Sequence, residues 1–205
     1  MRHMAQKGYK NMAHSYDRTY LASLGFADPD KKLRKHDVAC QFLASKEAIE
    51  YFRKQLLTPY GDSKFYVEPS QAVCKAVNFE LMITKGEDKY KTTIGFLDYH
   101  MRWVIKQKRI YEGVEDESTD YLQIGVEVKI TPVPVGDIIR QINLYREYAK
   151  DIRKWWVVTA FDISMMDLKM LATSNIKYLK LGNKFDHWCE QKEAEEPEFP
   201  DVDEL

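Results

Sequence analysis

Cysteine is scarce in this chain. Cys40, Cys74 and Cys189 are the three among 205 residues, and no two form a CxxC pair. That argues against a disulfide framework and against a four-thiolate zinc or iron–sulfur site, and leaves free, partly buried thiols in a reducing compartment as the expectation. Long apolar runs are missing as well. None approaches the ~20 residues that a membrane span requires, so no membrane partner is expected. The N-terminal residues carry no signal-peptide core, from which an intracellular, cytoplasmic protein is expected. No internal repeat is visible, which excludes a solenoid. With 44% hydrophobic and 31% charged residues the remainder has an ordinary globular composition, long enough for one domain with appended pieces.

Acid and base are unevenly spread. The net charge is -1, yet Glu190 to Leu205 holds eight acids and one lysine. Taking these from the totals of 32 acids and 31 bases leaves 24 and 30, a net +6 for residues 1–189. A mildly basic body is compatible with nucleic acid but is also a common solvated surface.

Residues 1–27 are polar and aromatic without a clear period and read as a loose arm. Asp28-Pro29-Asp30 starts a helix that runs to about Phe42, with Pro29 in the first helical position. Ser45 caps a second helix, in which Ile49, Phe52 and Leu56 repeat at three and four, and Thr58 to Asp62 ends it. Extended stretches follow at Ala76–Thr84, Tyr90 to about Tyr111, and Tyr121–Ile130. Turns are expected at Lys85–Asp88 and across the polar stretch Gly113–Asp120. Pro132 and Pro134 stop the third strand. Asp137 caps a helix with Ile138, Ile142, Tyr145, Ala149 and Ile152 on one side. A strand at Trp155–Phe161, a short helix from Ser164 to about Ser174 and a strand at Ile176–Leu181 complete the order. Helices alternating with strands after an antiparallel meander predict an α/β fold with a mixed central sheet flanked by helices. The division expected is an arm and helix over 1–44, a core over 45–185 and an acidic tail over 186–205.

Within that order one stretch carries chemistry. In the strand Val126-Glu127-Val128-Lys129, alternation puts Glu127 and Lys129 on one face and the valines on the other. Alone, this reads as an exposed ion pair on an edge strand. Asp98, however, ends the apolar run Gly95-Phe96-Leu97, and the midpoint between residues 98 and 127 falls at 112.5, beside the expected turn. A hairpin centred there sets the two carboxylates opposite each other. Opposed like charges are destabilising unless something lies between them. A divalent cation such as Mg2+ or Mn2+, which prefers hard oxygen ligands, is the natural candidate. The Val128 carbonyl can supply a further oxygen, and the Lys129 ammonium would lie near the attacking water and offset charge on a phosphate.

An acid, a spacer and then Glu-X-Lys on a later strand resembles the PD-(D/E)XK nuclease superfamily, and the element order is similar to its αβββαβ core. A third motif, Gln141-Ile142-Asn143-Leu144-Tyr145, resembles the QxxxY motif of the RecB-like branch; its two polar residues lie four apart on one helical face. The resemblance spans roughly Ser45 to Leu181. It implies a restriction-endonuclease-like fold and a metal-dependent DNA nuclease, in which Asp98, Glu127 and Val128 hold the metal, Lys129 activates the water, and Gln141 and Tyr145 position the site or a DNA phosphate. It also implies an acid from the first core helix, for which Glu50 is the candidate with Glu47 behind it. The 29 residues between Asp98 and Glu127 exceed the family's usual spacing, which a longer hairpin explains. Relatives that bind an iron–sulfur cluster use four cysteines, so no cluster is expected here.

His100 follows Asp98 by two and is either a neighbour or a group near the metal. Arg102, Lys106, Lys108 and Arg109 line the proposed hairpin, where they track a phosphate backbone or keep the arm soluble. Trp155 and Trp156 read as core. The tail is solubilising, recruits a basic partner or competes with DNA. The small, stand-alone size suggests a phage or viral enzyme of DNA replication, recombination or repair in an infected host cell. Two rivals stand beside it: a dimeric Holliday-junction resolvase, and a non-catalytic nucleic-acid- or protein-binding module.

Overall fold

The computed structural model describes residues 35–86 and 91–187. Helices α1 (Lys35–Leu43) and α2 (Lys46–Leu56) lead into strands β1 (Tyr60–Gly61), β2 (Phe65–Lys85), β3 (Thr92–Tyr111) and β4 (Val114–Lys129). Helix α3 (Val135–Tyr148), strand β5 (Ile152–Thr159), helix α4 (Met165–Thr173) and strand β6 (Ile176–Lys180) follow. The six strands lie in sequence order in one sheet. β2, β3 and β4 form an antiparallel meander, while β4, β5 and β6 run parallel through the crossover helices α3 and α4. The fold is α/β with a mixed, helix-flanked sheet. Among the described residues no helix is long and apolar enough to cross a membrane. The arm at 1–27, the helix start at 28–30, Cys189 and the acidic stretch from 190 onward lie outside the described residues.

Local chemistry accounts for most boundaries. Ser45 caps α2 by accepting from the Ala48 amide at 3.2 Å, and Ser164 caps α4 through the Asp167 amide at 3.1 Å. Asp137 does not cap α3. The helix starts at Val135 with Pro134 at its cap position, and Asp137 pairs with Arg140 one turn on.

The meander is longer than its apolar pattern suggests. β2 begins at Phe65 rather than Ala76, and β4 begins at Val114, so residues 114–120 of the expected polar turn are strand. The turn is only Glu112-Gly113, both at positive φ (49° and 84°), joining Tyr111 to its partner Val114. Two-residue turns of this kind match the strand twist and favour glycine. The outer strands were illegible because most of that end is exposed, which removes the apolar alternation that marks a strand.

Two cores sandwich the sheet. On one face Tyr99, Met101, Trp103, Val126, Val128 and Val158 pack against Val38 and Leu43 of α1 and Phe52 of α2. On the other, Leu97, Trp155 and Val157 pack against Ile138, Ile142 and Tyr145 of α3 and Leu171 of α4. Helix α1, set apart from the 45–185 core in the sequence division, packs into it: Ala39 and Leu43 are fully buried, and the Tyr99 hydroxyl donates to the Leu43 carbonyl at 2.9 Å. Phe52 is fully buried, its ring edge-on to Trp156 at 5.1 Å. Phe52→Ala is expected to cost roughly 3–5 kcal/mol, read as a lower midpoint in urea at unchanged slope.

One irregularity positions the site. Leu97 packs on the α3 side and Tyr99 on the α1 side, although residues two apart on a regular strand share a face. On β2 the partners Leu81 and Phe79 divide in the same way: Leu81 packs with the α3-side core, and Phe79 meets the Tyr99 ring at 5.4 Å. Between them Glu80 adopts a φ of 49°. Both strands change face at Glu80 and Asp98, a kink of the kind that re-aims a side chain.

Candidate active site

The β3–β4 register pairs Tyr99 with Val126 and Tyr111 with Val114, so Asp98 is the next residue opposite Glu127, as the hairpin predicted. The ladder's regular pairing stops at Tyr99. Beyond it the Asp98 carboxylate takes the place of a strand: Oδ2 accepts the Val128 amide at 2.7 Å. A strand residue directs its N–H and C=O to the same neighbour. The Val128 carbonyl therefore also faces the Asp98 side, while the Lys129 carbonyl accepts from Ala160 on the β5 side.

Glu127 is 1% exposed on the α3 side of the sheet. Its Oε1 accepts from Lys129 Nζ at 2.6 Å, whereas Oε2 is buried without a hydrogen-bond partner. Burial first, then the negative charge of Asp98 and a hydrogen bond that only the protonated acid can give Asp98, push the Glu127 carboxyl up to about 8 against the opposing pull of Lys129. Asp98 is itself partly buried, with a side chain 14% exposed. Glu127 and Lys129 are thus not an exposed pair on an edge strand, since β5 covers β4.

Helix α1 supplies two groups that sequence reasoning missed. His36 Nε2 lies 3.3 Å from Asp98 Oδ1, and its Nδ1 lies 3.4 Å from Asp37 Oδ1. Hydrogen bonds to Asp37 and Asp98 raise the imidazole to about 10 despite burial. Glu80 is also raised, by burial and then by the charges of Asp37 and Asp98, which places a third and fourth carboxylate in the same field. The only sequence signal was a polar His36-Asp37 pair just ahead of the apolar Val38-Ala39-Cys40.

Helix α3 presents Gln141 and Tyr145 on one face, as expected. Gln141 Nε2 donates to the Tyr145 hydroxyl at 2.9 Å, and that hydroxyl donates to the Phe96 carbonyl at 3.0 Å. Burial, with smaller contributions from the charges of Glu127 and Asp98, pushes the phenol up to about 12. Gly95 allows the contact: a β-carbon there would lie 2.7 Å from the Tyr145 hydroxyl. Tyr145 therefore clamps β3 two residues before Asp98.

The other candidates are placed elsewhere. Glu50 forms a half-buried pair with Arg53 at 2.6 Å; the helical side chain that reaches Asp98 is His36 of α1. Glu47 is exposed. His100 is buried between Asn78 (3.1 Å) and Gln123 (2.8 Å), a hydrogen-bonded neighbour whose burial lowers its pKa. Trp155 and Trp156 are core, and Cys40 and Cys74 are free thiols. Lys108 pairs with Glu115 at 2.6 Å.

Among the described residues no three His, Cys, Asp or Glu side chains form a ready ligand set. The two central carboxylates are instead closed by the protein's own cations, His36 and Lys129. The chemistry of the donors nonetheless fits a hard divalent ion: two adjacent carboxyl groups that raise each other's cost of ionisation, one with a buried oxygen that no donor satisfies when ionised, beside a backbone carbonyl. Comparison with protein families, with curated proteins and with solved structures finds no match.

Proposed function

We propose that this protein is a Mg2+- or Mn2+-dependent DNA nuclease of the PD-(D/E)XK kind, with a restriction-endonuclease-like core. The observation that carries the reading is the convergence of Asp98 on the buried Glu127-Val128-Lys129 segment, with Glu127 Oε2 unpartnered. A buried carboxylate with an idle oxygen opposes folding, and such groups concentrate at functional sites. The order α2, meander, α3, β5 adds support, as does the Gln141–Tyr145 clamp on β3.

In this reading Asp98, Glu127 and the Val128 carbonyl would hold the cation. Bound there, a divalent cation would stabilise charge on the phosphate and lower the pKa of the attacking water. Lys129, already turned toward Glu127, orients that water and offsets charge on the phosphoryl oxygens. Water attacks phosphorus and one P–O bond of the backbone breaks. Gln141 and Tyr145 keep Asp98 in place. The resemblance favours a role in phage or viral DNA replication, recombination or repair.

The test is cleavage of single- and double-stranded DNA with Mg2+, Mn2+ or EDTA. Cleavage is expected with metal only, and Asp98→Asn and Lys129→Ala should each reduce it by roughly 10²–10³-fold. Activity that survives both substitutions, or EDTA, would rule this site out.

The closed ion pairs favour a second reading, a non-catalytic nucleic-acid- or protein-binding module on the same fold. Binding without cleavage in every metal selects it. Cleavage confined to four-way junctions by a homodimer would point to a resolvase.

A further inference from the structure

The α3-side face of the sheet is covered only near the site. Glu127, Gly125, Gln123 and Tyr121 alternate along one face of β4, and Gly125 lies under Trp155 and Leu97. Further out the same face is open: Tyr121 is 73% exposed and Val73 36%.

The register arranges this open face in rows across three strands. Val73, Val104 and Tyr121 are cross-strand neighbours and form an apolar row. On the site side lies the row Ala76, Arg102, Gln123, and on the far side Gln71, Lys106, Thr119. Arg102 and Lys106 are exposed, and among the described residues neither has an ion-pair partner. These three rows contain no acid. The next row outward, Glu68, Lys108, Glu117, reverses the balance, with Lys108 bound to Glu115. An aromatic platform flanked by two free cations is thus confined to one part of the face, in line with the site. Tyr121 is six residues from Glu127 on the same strand face, about 20 Å at strand rise.

We propose that this open face is a track for single-stranded DNA, with a base stacked on Tyr121 and phosphates on Arg102 and Lys106. Charge complementarity identifies a polyanion. The exposed ring identifies an unpaired strand, because a base accepts an aromatic side chain on its π-face only when it is unstacked. The direction of the track toward Glu127 rests on the nuclease reading; the binding itself does not.

The test is fluorescence anisotropy in EDTA with labelled oligothymidine, a duplex and an RNA of equal length, paired with a separate Mn2+ cleavage assay of the wild type. Single-stranded DNA should bind best. Tyr121→Ala should weaken it by roughly tenfold or more and Tyr121→Trp should retain it. Joint replacement of Arg102 and Lys106 by alanine should flatten the slope of log affinity against log salt by about 1.4. All three side chains are exposed, and unchanged circular dichroism and thermal midpoint verify folding. Wild-type affinity in Tyr121→Ala overturns the track, as does equal binding of duplex or RNA. A change of oligomeric state in Tyr121→Ala also overturns it, in favour of an interface between copies. Tyr121-dependent binding without Mn2+ cleavage sinks the nuclease reading alone; cleavage with Tyr121-independent binding sinks the track alone.

Discussion

Glu127→Gln is expected to abolish metal-dependent cleavage and, at the same time, to stabilise the metal-free protein at alkaline pH. The two effects share one cause. Burial and the Asp98 charge hold the Glu127 carboxyl at about 8, against an ordinary 4.5. A carboxyl raised in this way contributes its stability in full below the ordinary value and loses it as pH rises through the folded value. Above about pH 8 the native state therefore carries an ionised, half-satisfied carboxylate beside a second one. Glutamine keeps the shape, stays neutral, and its amide can donate toward Asp98 as the protonated acid would.

The gain should be about 1–3 kcal/mol at pH 8.5, limited because Lys129 loses its partner, and should vanish near pH 4. Thermal unfolding across pH reads it as an upward shift of several degrees in the midpoint. Mn2+ should raise the wild-type midpoint and leave that of Glu127→Gln nearly unmoved. A wild-type-to-variant difference that does not depend on pH would show that Glu127 is ionised and satisfied in the native state, and would remove the physical basis of the site.

The second large effect is expected at Gly95. Alanine there would put its β-carbon 2.7 Å from the Tyr145 hydroxyl and 2.9 Å from a ring carbon. The ring cannot retreat freely: Tyr145 is 4% exposed and packs against Trp155 at 6.5 Å. Overpacking of this kind costs about 1–3 kcal/mol, and here it also breaks the bonds to Phe96 and Gln141 that hold β3 ahead of Asp98. Gly95→Ala should therefore lower kcat more than a surface substitution of equal stability cost. Tyr145→Phe, which deletes the hydroxyl alone, should cost about 1–2 kcal/mol and part of the same activity. Both variants act on one contact, so the double variant should fall short of the sum. Strict additivity in stability and in kcat would mean that Tyr145 is ordinary core and does not position Asp98.

The site was partly legible in the chain. The placing of Asp98 opposite Glu127 follows from symmetry about residue 112.5 and holds although the turn is shorter than the polar stretch suggests: replacing a long polar turn by Glu112-Gly113 lengthens both arms equally and leaves the register intact. Gln141 and Tyr145 were legible because helical spacing alone puts them together. Glu50 pairs with Arg53, while His36 is the helical group that meets Asp98; which helix lies beside Asp98 depends on how α1 and α2 dock, and both carry polar residues on their exposed faces. Beyond the polar His36-Asp37 pair itself, His36 had no local signal that separated it from the other polar residues of its helix.

Strand and helix order, the Ser45 and Ser164 caps, the Glu127/Lys129 face and the Gln141–Tyr145 pair were settled by the chain itself, because each depends on neighbours a few residues apart. Tertiary structure decided the rest: the face change at Glu80 and Asp98, the reach of His36 from α1, the burial that leaves Glu127 Oε2 idle, and the open row ending in Tyr121. Each of these depends on which distant segments pack together, and no periodicity within one segment encodes that.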